Sequence, residues 1–340
     1  MIRKIRIGIT NDIIPGPGRS LLDDMPNVEY RVFPEFLPEV TPEQIHGFDM
    51  VITCSGKWTQ RSLRGNGELI CVLYAGVGYD HIDVQALNNA GVMLCNSPAA
   101  VRRPMAVTIF TFILALAMRL LNKDRITREG RWMEKGNYYG YGLVGRTLGS
   151  IGVGNIGHEV FLLAKPFGMR HIAYDPYVAQ EAVADVGVKL VDMDTVLAES
   201  DFLNISVPLN EETRHLVGEK ELAKVKKTAF LISAARGPIV DESALIRALQ
   251  ERRIRGAGLD VFEQEPTPID NPLLKMENVV VAPHSLCETD ELFMGMWEQK
   301  ERQLSQIVRG EVPDDLVNRE VWDKPGFQSK LKKFRESIQK

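Results

Sequence analysis

The sequence predicts an α/β protein of two doubly wound parallel-sheet domains. Three observations carry this. Short apolar runs bounded by glycine and polar residues alternate with helix-like pieces along most of the 340 residues. From Thr147 onward, seven such runs recur with helical segments between most of them. One run opens onto a glycine-rich turn that leads into a helix.

Taken in order, Ile5, Ile7 and Ile9 alternate as in a half-buried strand. Thr41, Pro42 and Glu43 read as an N-cap, a first-turn proline and a first-turn acid. Residues 49–54 and 69–75 read as buried strands, 83–90 as a short helix closed by Gly91, and 92–95 as a strand ending at Asn96-Ser97-Pro98. The longest helical segment is 104–121, apolar nearly all round and so expected to be buried between domains or between subunits of a homodimer. Residues 128–145, rich in glycine, charge and aromatics, read as a connecting loop. Strands follow at 147–153, 170–174, 188–190, 202–207, 228–233, 256–261 and 278–282, then a closing helix at 288–309. The tail from Asp323 is polar and basic, and is expected to be peripheral. The domains are expected to be 99–286 and a discontinuous partner made of 1–98 and 287–340.

Composition narrows the function classes. Hydrophobic residues at 44% and charged residues at 25% are ordinary globular values. Lys+Arg 41 against Asp+Glu 45 leaves a net charge of −4, with no positive excess to track a nucleic-acid backbone. The central charge-free stretch, 104–118, falls short of the roughly 20 residues of a membrane span. The N-terminus does not read as a signal peptide, so the expected location is cytoplasmic. Cys54, Cys71, Cys95 and Cys287 show no CxxC spacing, which predicts reduced thiols, with Cys71 and Cys95 in the core, and no metal site.

The glycine-rich turn is Gly152-Val153-Gly154-Asn155-Ile156-Gly157, a G-x-G-x-x-G. Eighteen residues beyond Gly157, at the end of the next strand, stands Asp175. Strand, glycines, helix and acid together make the dinucleotide-binding context of a Rossmann domain. Gly152 permits the tight turn, Gly154 lets the backbone approach a pyrophosphate, and Gly157 lets helix pack on strand. Backbone amides at Asn155 and Ile156 would meet the pyrophosphate at the positive end of the helix. Asp175 would accept the ribose hydroxyls and repel a 2′-phosphate, so NAD is expected over NADP.

Three charged or titratable side chains follow successive strands: Arg236, Glu265 and His284. In a parallel sheet all three lie at the carboxyl edge, with the glycine turn. Here the sequence resembles the D-isomer-specific 2-hydroxyacid dehydrogenases. The motifs are 235–242 (ARGPIVDE), 259–266 (LDVFEQEP), 282–284 (APH) and 76–83 (GVGYDHID), and the resemblance runs from about Gly56 to Asn318.

That resemblance implies a flavodoxin-like substrate domain beside the NAD-binding Rossmann domain. It also implies hydride transfer between nicotinamide and C2 of a small 2-hydroxy or 2-keto acid. Arg236 would hold the substrate carboxylate or C2 oxygen, and the amides of Val77 and Gly78 would complete the anion cradle. His284 would serve as acid/base, with Glu265 as the partner that favours its protonated form. Val207, Pro208 and Thr213 resemble the family's adenosine and phosphate loop, and Ala234 and Asp260 its nicotinamide-side contacts. Glu265 argues against formate chemistry, where the histidine's partner is glutamine. Phosphoglycerate, glyoxylate, hydroxypyruvate and D-lactate chemistries stay open, as does a nucleotide-sensing corepressor on the same fold. The chain departs from the family at Ser285-Leu286-Cys287, where small residues are usual, and at Val107, where many members carry a polar residue. Cys287 is a candidate redox-sensitive thiol, and Lys57-Trp58 falls in the variable substrate-side region.

Overall fold

The structure, a computed structural model, describes residues 3–13 and 22–339; Met1, Ile2 and Lys340, which the readings of the two termini include, lie outside them. The chain divides into two compact units, Met1–Val101 with Thr289–Lys340, and Arg102–Glu288.

The first unit is built on five parallel strands. They are β1 (Ile5–Ile9), β2 (Val28–Val32), β3 (Met50–Thr53), β4 (Cys71–Tyr74) and β5 (Met93–Cys95), in the order β2-β1-β3-β4-β5. That is the flavodoxin-like order. Helix α1 (Pro42–Ile45) starts in a capping box between Thr41 and Gln44. Helix α2 (Val84–Ala90) is capped by Asp83 and closed by Gly91 at φ +59°. Alternate strand residues serve two cores. Val51, Val72 and Leu94 pack with Ile45 and Leu87, whereas Ile7, Ile52, Leu73 and Cys95 face the C-terminal segment. Cys71 and Cys95 are fully buried. Strand β2 was not anticipated. Its Val-Glu-Tyr-Arg-Val alternation marks an edge strand half open to water.

Helix α3 (Pro98–Met118) crosses the boundary between the units. It starts earlier and stops sooner than expected, because Arg119 adopts φ +52° and separates it from α4 (Leu120–Arg128). By length and composition α3 could cross a membrane, the one such helix among the described residues. Its inner face is instead core: Ile109, Phe112 and Ile113 are buried against the sheet of the second unit. On its outer face Val107 and Met118 are each 44% exposed in the single chain, the part of the helix to which the expectation of burial between subunits applies. The expected loop after α4 contains a 3-10 turn at Trp132–Asn137.

The second unit carries seven parallel strands: β6 (Thr147–Ile151), β7 (Arg170–Tyr174), β8 (Val188–Leu190), β9 (Phe202–Ile205), β10 (Phe230–Ser233), β11 (Gly256–Leu259) and β12 (Val279–Val281). Their order is β12-β11-β10-β9-β6-β7-β8. The chain reverses direction across the sheet between β6 and β9, the switch point where doubly wound sheets bind nucleotides. Helices α3 and α5 (Asn155–Ala164) cover one face. Helices α6 (Met193–Glu199), α7 (Glu219–Leu222) and α8 (Glu242–Gln250) cover the other. Burial on both faces explains why these strands read as continuous apolar runs.

The chain then returns to the first unit through α9 (Asp290–Arg309), capped by Thr289, and α10 (Pro325–Gln339). The tail is therefore not peripheral. Phe327, Leu331, Phe334 and Ile338 fall at helical spacing and bury 2%, 3%, 6% and 6% exposed in the core beneath β1, β3 and β4. Between them Lys332 and Lys333 are exposed, while Lys330 donates to the Gly91 carbonyl and Arg335 to the Val308 and Arg309 carbonyls; these charges masked the apolar stripe.

Candidate active site

Every strand of the second unit runs the same way, so residues that follow strands collect at one edge. Gly152 follows β6, Asp175 follows β7, Val207 follows β9, and Arg236, Glu265 and His284 follow β10, β11 and β12.

The glycine turn is constrained by its neighbours. Gly152 sits at φ +87°, and a Cβ there would stand 2.3 Å from the Ser206 carbonyl oxygen. A Cβ on Gly157 would meet the Gly152 carbonyl at 2.8 Å, which sets how tightly α5 starts against β6. Gly154 has nothing within 4 Å, and as N-cap of α5 it brings no side chain to the helix end. The open glycine and the helix start behind it form the cradle that a pyrophosphate requires. Asp175 completes the cradle. Its Oδ2 accepts the Val153 amide at 2.9 Å and its Oδ1 the Tyr177 amide at 2.9 Å. Each oxygen keeps one lone pair for a ribose hydroxyl. The residues thus fit a dinucleotide.

Thr213 ties the loop after β9, donating through Oγ1 to the Pro208 carbonyl at 2.6 Å and accepting the Asn210 amide at 2.9 Å. Beneath the turn lies a device that the sequence reading missed. Asn204 donates to Ser150 Oγ at 3.0 Å, and Ser150 donates to the Gly152 carbonyl at 2.6 Å. The two residues are register partners on β6 and β9. The available signal was a buried polar residue in each of two apolar strands.

The second half of the edge is a cluster of side chains. His284 Nδ1 lies 2.7 Å from Glu265 Oε2. Glu265 Oε1 accepts the Phe262 amide at 2.9 Å. Burial works to raise the Glu265 carboxyl, but the His284 bond and charge, the Phe262 amide and Arg236 outweigh it and hold it below its ordinary value. An ionised carboxylate only accepts, so Nδ1 carries hydrogen and Nε2 is the nitrogen left for a reacting oxygen.

His284 takes φ +55°, and the turn after it is anchored by Asp260, whose Oδ1 accepts the Ser285 and Leu286 amides at 3.2 and 3.4 Å. Asp260 is 1% exposed, and burial raises its carboxyl despite those amides. Arg236 donates to the Ala235 carbonyl at 2.9 Å. Its neighbour Gly237 packs so closely on the 262–263 backbone that a Cβ would fall 1.9 Å from the Phe262 carbonyl. That contact sets the loops after β10 and β11 side by side. His215, paired with Glu263 at 2.7 Å, braces the same region. Cys287 is pushed up to about 11, first by burial and then by Asp260 and Glu288, so its thiol stays protonated, which argues against easy oxidation.

Arg236, Glu265, His284, Asp260 and Ala234 thus share one edge with Gly152, Gly154, Asn155, Ile156, Gly157, Asp175, Val207, Pro208 and Thr213. Val77 and Gly78 belong to the first unit, in the loop after β4, where Asn96 Nδ2 donates to the Val77 carbonyl at 3.1 Å. A guanidinium fork beside an imidazole–carboxylate pair can hold a carboxylate and transfer a proton to an adjacent oxygen.

Comparison with known proteins agrees. Residues 110–285 match the family model of the D-isomer specific 2-hydroxyacid dehydrogenase, NAD binding domain. A glyoxylate reductase of Korarchaeum cryptofilum is 44% identical over 266 residues, 77% of this chain and 80% of that protein. The glyoxylate reductase of Thermococcus litoralis is 37% identical, across 94% of this chain and 98% of that one. Among solved structures, a glyoxylate reductase from Paecilomyes thermophila superposes with TM-score 0.81 at 28% identity, covering 94% of this chain and all (100%) of that one. D-lactate dehydrogenase from Aquifex aeolicus, complexed with NAD and lactic acid, gives TM-score 0.81 at 25% identity over 92% and 99% of the two chains. The chain therefore belongs to the D-isomer specific 2-hydroxyacid dehydrogenase family and is an NAD-dependent oxidoreductase acting on small 2-hydroxy or 2-keto acids.

Proposed function

We propose that this enzyme reduces glyoxylate, or a 2-keto acid of similar size, with His284 as the proton donor. The observation that carries the reading is the 2.7 Å bond from His284 Nδ1 to Glu265 Oε2, at the edge shared with the glycine turn. NADH, when bound, supplies a hydride to C2. His284 gives the Nε2 proton to the C2 oxygen as the carbonyl becomes an alcohol, and takes it back in the reverse direction. Glu265 orients the ring and stabilises the imidazolium. Arg236 holds the substrate carboxylate with a planar pair of donors, which a lysine could not reproduce. Val77 and Gly78 are assigned the remaining amide contacts to the anion, on the strength of their loop motif. Asp175 is assigned the ribose hydroxyls, and Ala234 and Asp260 the nicotinamide side. The glyoxylate reductases among the relatives favour a two-carbon substrate.

The reading extends to a cytoplasmic homodimer that contacts neither nucleic acid nor membrane. The homodimer is supported by exposed apolar side chains at Val107, Met118 and Leu120, 44%, 44% and 57% exposed, and at Trp132 and Met133, 61% and 87%; the absence of nucleic-acid contact is supported by the net charge of −4. The test is NADH oxidation over 2-keto acids of graded size and charge: glyoxylate, pyruvate, hydroxypyruvate, phosphohydroxypyruvate and phenylpyruvate. The largest kcat/KM is expected with glyoxylate or hydroxypyruvate. A preference for phenylpyruvate or for the phosphorylated acid would overturn the substrate assignment. Absence of turnover across the set would remove the catalytic one.

A further inference from the structure

The strands that carry Arg236, Glu265 and His284 at one end begin, at the other, around a cavity of about 700 Å³. Phe230 opens β10, Arg255 immediately precedes β11, and Val279 opens β12; all three line it. The volume falls within the range of small-molecule sites. The floor is apolar: Leu116, Leu249 and Ile254 are 5%, 2% and 0% exposed.

The rim is cationic. Arg119, Lys227, Arg252 and Arg255 line the cavity, and among the described residues none of them is in an ion pair. The acid among the lining residues, Glu277, is already bound to Arg125 at 2.6 Å. Elsewhere on this unit arginines are neutralised as a rule: Arg103 by Glu159, Arg170 by Glu199, Arg247 and Arg253 by Glu219. Arg255 is also fixed in place. Its guanidinium lies 4.1 Å from the Tyr141 ring centre and 5.9 Å from that of Phe230. Its amide donates to the Ala229 carbonyl at 2.9 Å, and Asn278 donates to its carbonyl at 3.0 Å. Like charges gathered around an apolar hollow repel one another, and an anion entering the hollow relieves that repulsion.

We propose that this cavity is a binding site for an amphiphilic organic anion: an acidic head held by Arg255, Arg252 and Lys227, and an apolar body on the Leu116–Leu249–Ile254 floor. The cavity lies at the amino ends of β10, β11 and β12, opposite the edge that carries Arg236, Glu265 and His284, so it is separate from the substrate site. It stands independently of the substrate assignment above.

The experiment titrates full-length protein, saturated with NADH, with octanoate, octyl phosphate, acetate and octylamine by calorimetry. Saturable one-to-one binding of octanoate and octyl phosphate is expected, with acetate and octylamine at least about tenfold weaker. Arg255→Ala, and separately the double variant Lys227→Glu with Arg252→Glu, should each weaken octanoate by about tenfold or more, leaving NADH-dependent turnover in its absence within about twofold of wild type. Octanoate binding no tighter than acetate would overturn the proposal, as would unchanged affinity in both variants. A changed oligomeric state of the double variant in sedimentation would also overturn it, since that result gives the face to a second copy of the chain.

Discussion

The carboxyl edge of the seven-stranded sheet has two halves, built on different principles. At β6, β7 and β9 the work falls to the backbone. The turn is shaped by Gly152 and Gly157, whose Cβ positions are already filled by carbonyl oxygens, and the side chain beside it, Asp175, is held by two amides. At β10, β11 and β12 the work falls to side chains, and each depends on another. Glu265 orients His284, the Phe262 amide fixes Glu265, and Asp260 anchors the turn after His284. The cofactor half should therefore fail when space is filled, and the proton half when charge is removed.

The largest expected loss of cofactor binding belongs to the first half. Gly152→Ala adds a Cβ 2.3 Å from a backbone oxygen at a left-handed φ, with no flexible atom able to give way. NADH affinity by fluorescence titration should drop by roughly a hundredfold or more, the cost of displacing the turn from the pyrophosphate. Native-like affinity would mean that the turn does not meet the cofactor.

On the other side, Arg236→Lys keeps the charge and removes the fork. The expected loss in kcat/KM is on the order of a hundredfold, with NADH binding unchanged, because charge-assisted bonds to a carboxylate are worth about 1.5–3 kcal/mol each. An equal loss of NADH affinity would blur the division between the halves.

Glu265→Gln tests the charge itself. Glu265 is held below its ordinary value, so the folded protein favours its carboxylate form. The stabilisation from the pair is complete above the ordinary carboxylate range and is lost as pH falls through the depressed folded value. Wild-type reduction should therefore hold steady on mild acidification. The glutamine variant places no negative charge beside the ring, so its rate should be lower by about tenfold near neutral pH and should lack the acid-side fall that follows protonation of Glu265. Superimposable pH profiles would reduce Glu265 to a spacer.

The smallest effect is Asp175→Ala. Without the carboxylate, the preference for NADH over NADPH in kcat/KM should shrink by on the order of tenfold. Unchanged discrimination would contradict the ribose assignment.

The two halves also differed in how far they could be read from sequence. The cofactor half was legible because its logic is spacing: three glycines after a strand and an acid eighteen residues on. The proton half was legible as order along the chain, since parallel strands bring Arg236, Glu265 and His284 to one edge wherever they lie in sequence. Contact between them was not legible, because it depends on side-chain reach and on Gly237 packing against residue 262. The Asn204–Ser150 prop escaped notice because two polar residues among apolar strands do not declare each other as partners until register is known. The C-terminal helix escaped because its apolar stripe of four residues was diluted by the charges between them. Membership of that helix in the core is checkable: Phe334→Ala should lower stability by about 3–5 kcal/mol in urea unfolding, and a cost under about 1 kcal/mol would restore the peripheral reading.

The most direct test of the account is a single-turnover measurement on His284→Ala. NADH oxidation at saturating glyoxylate would be followed in stopped flow, with the NADH dissociation constant measured on the same sample. Proton transfer by His284 predicts a rate lower by about 10²–10⁴-fold with NADH affinity close to wild type. A single-turnover rate within a few-fold of wild type would contradict it, and the bond between His284 and Glu265 would then be a structural feature of the edge.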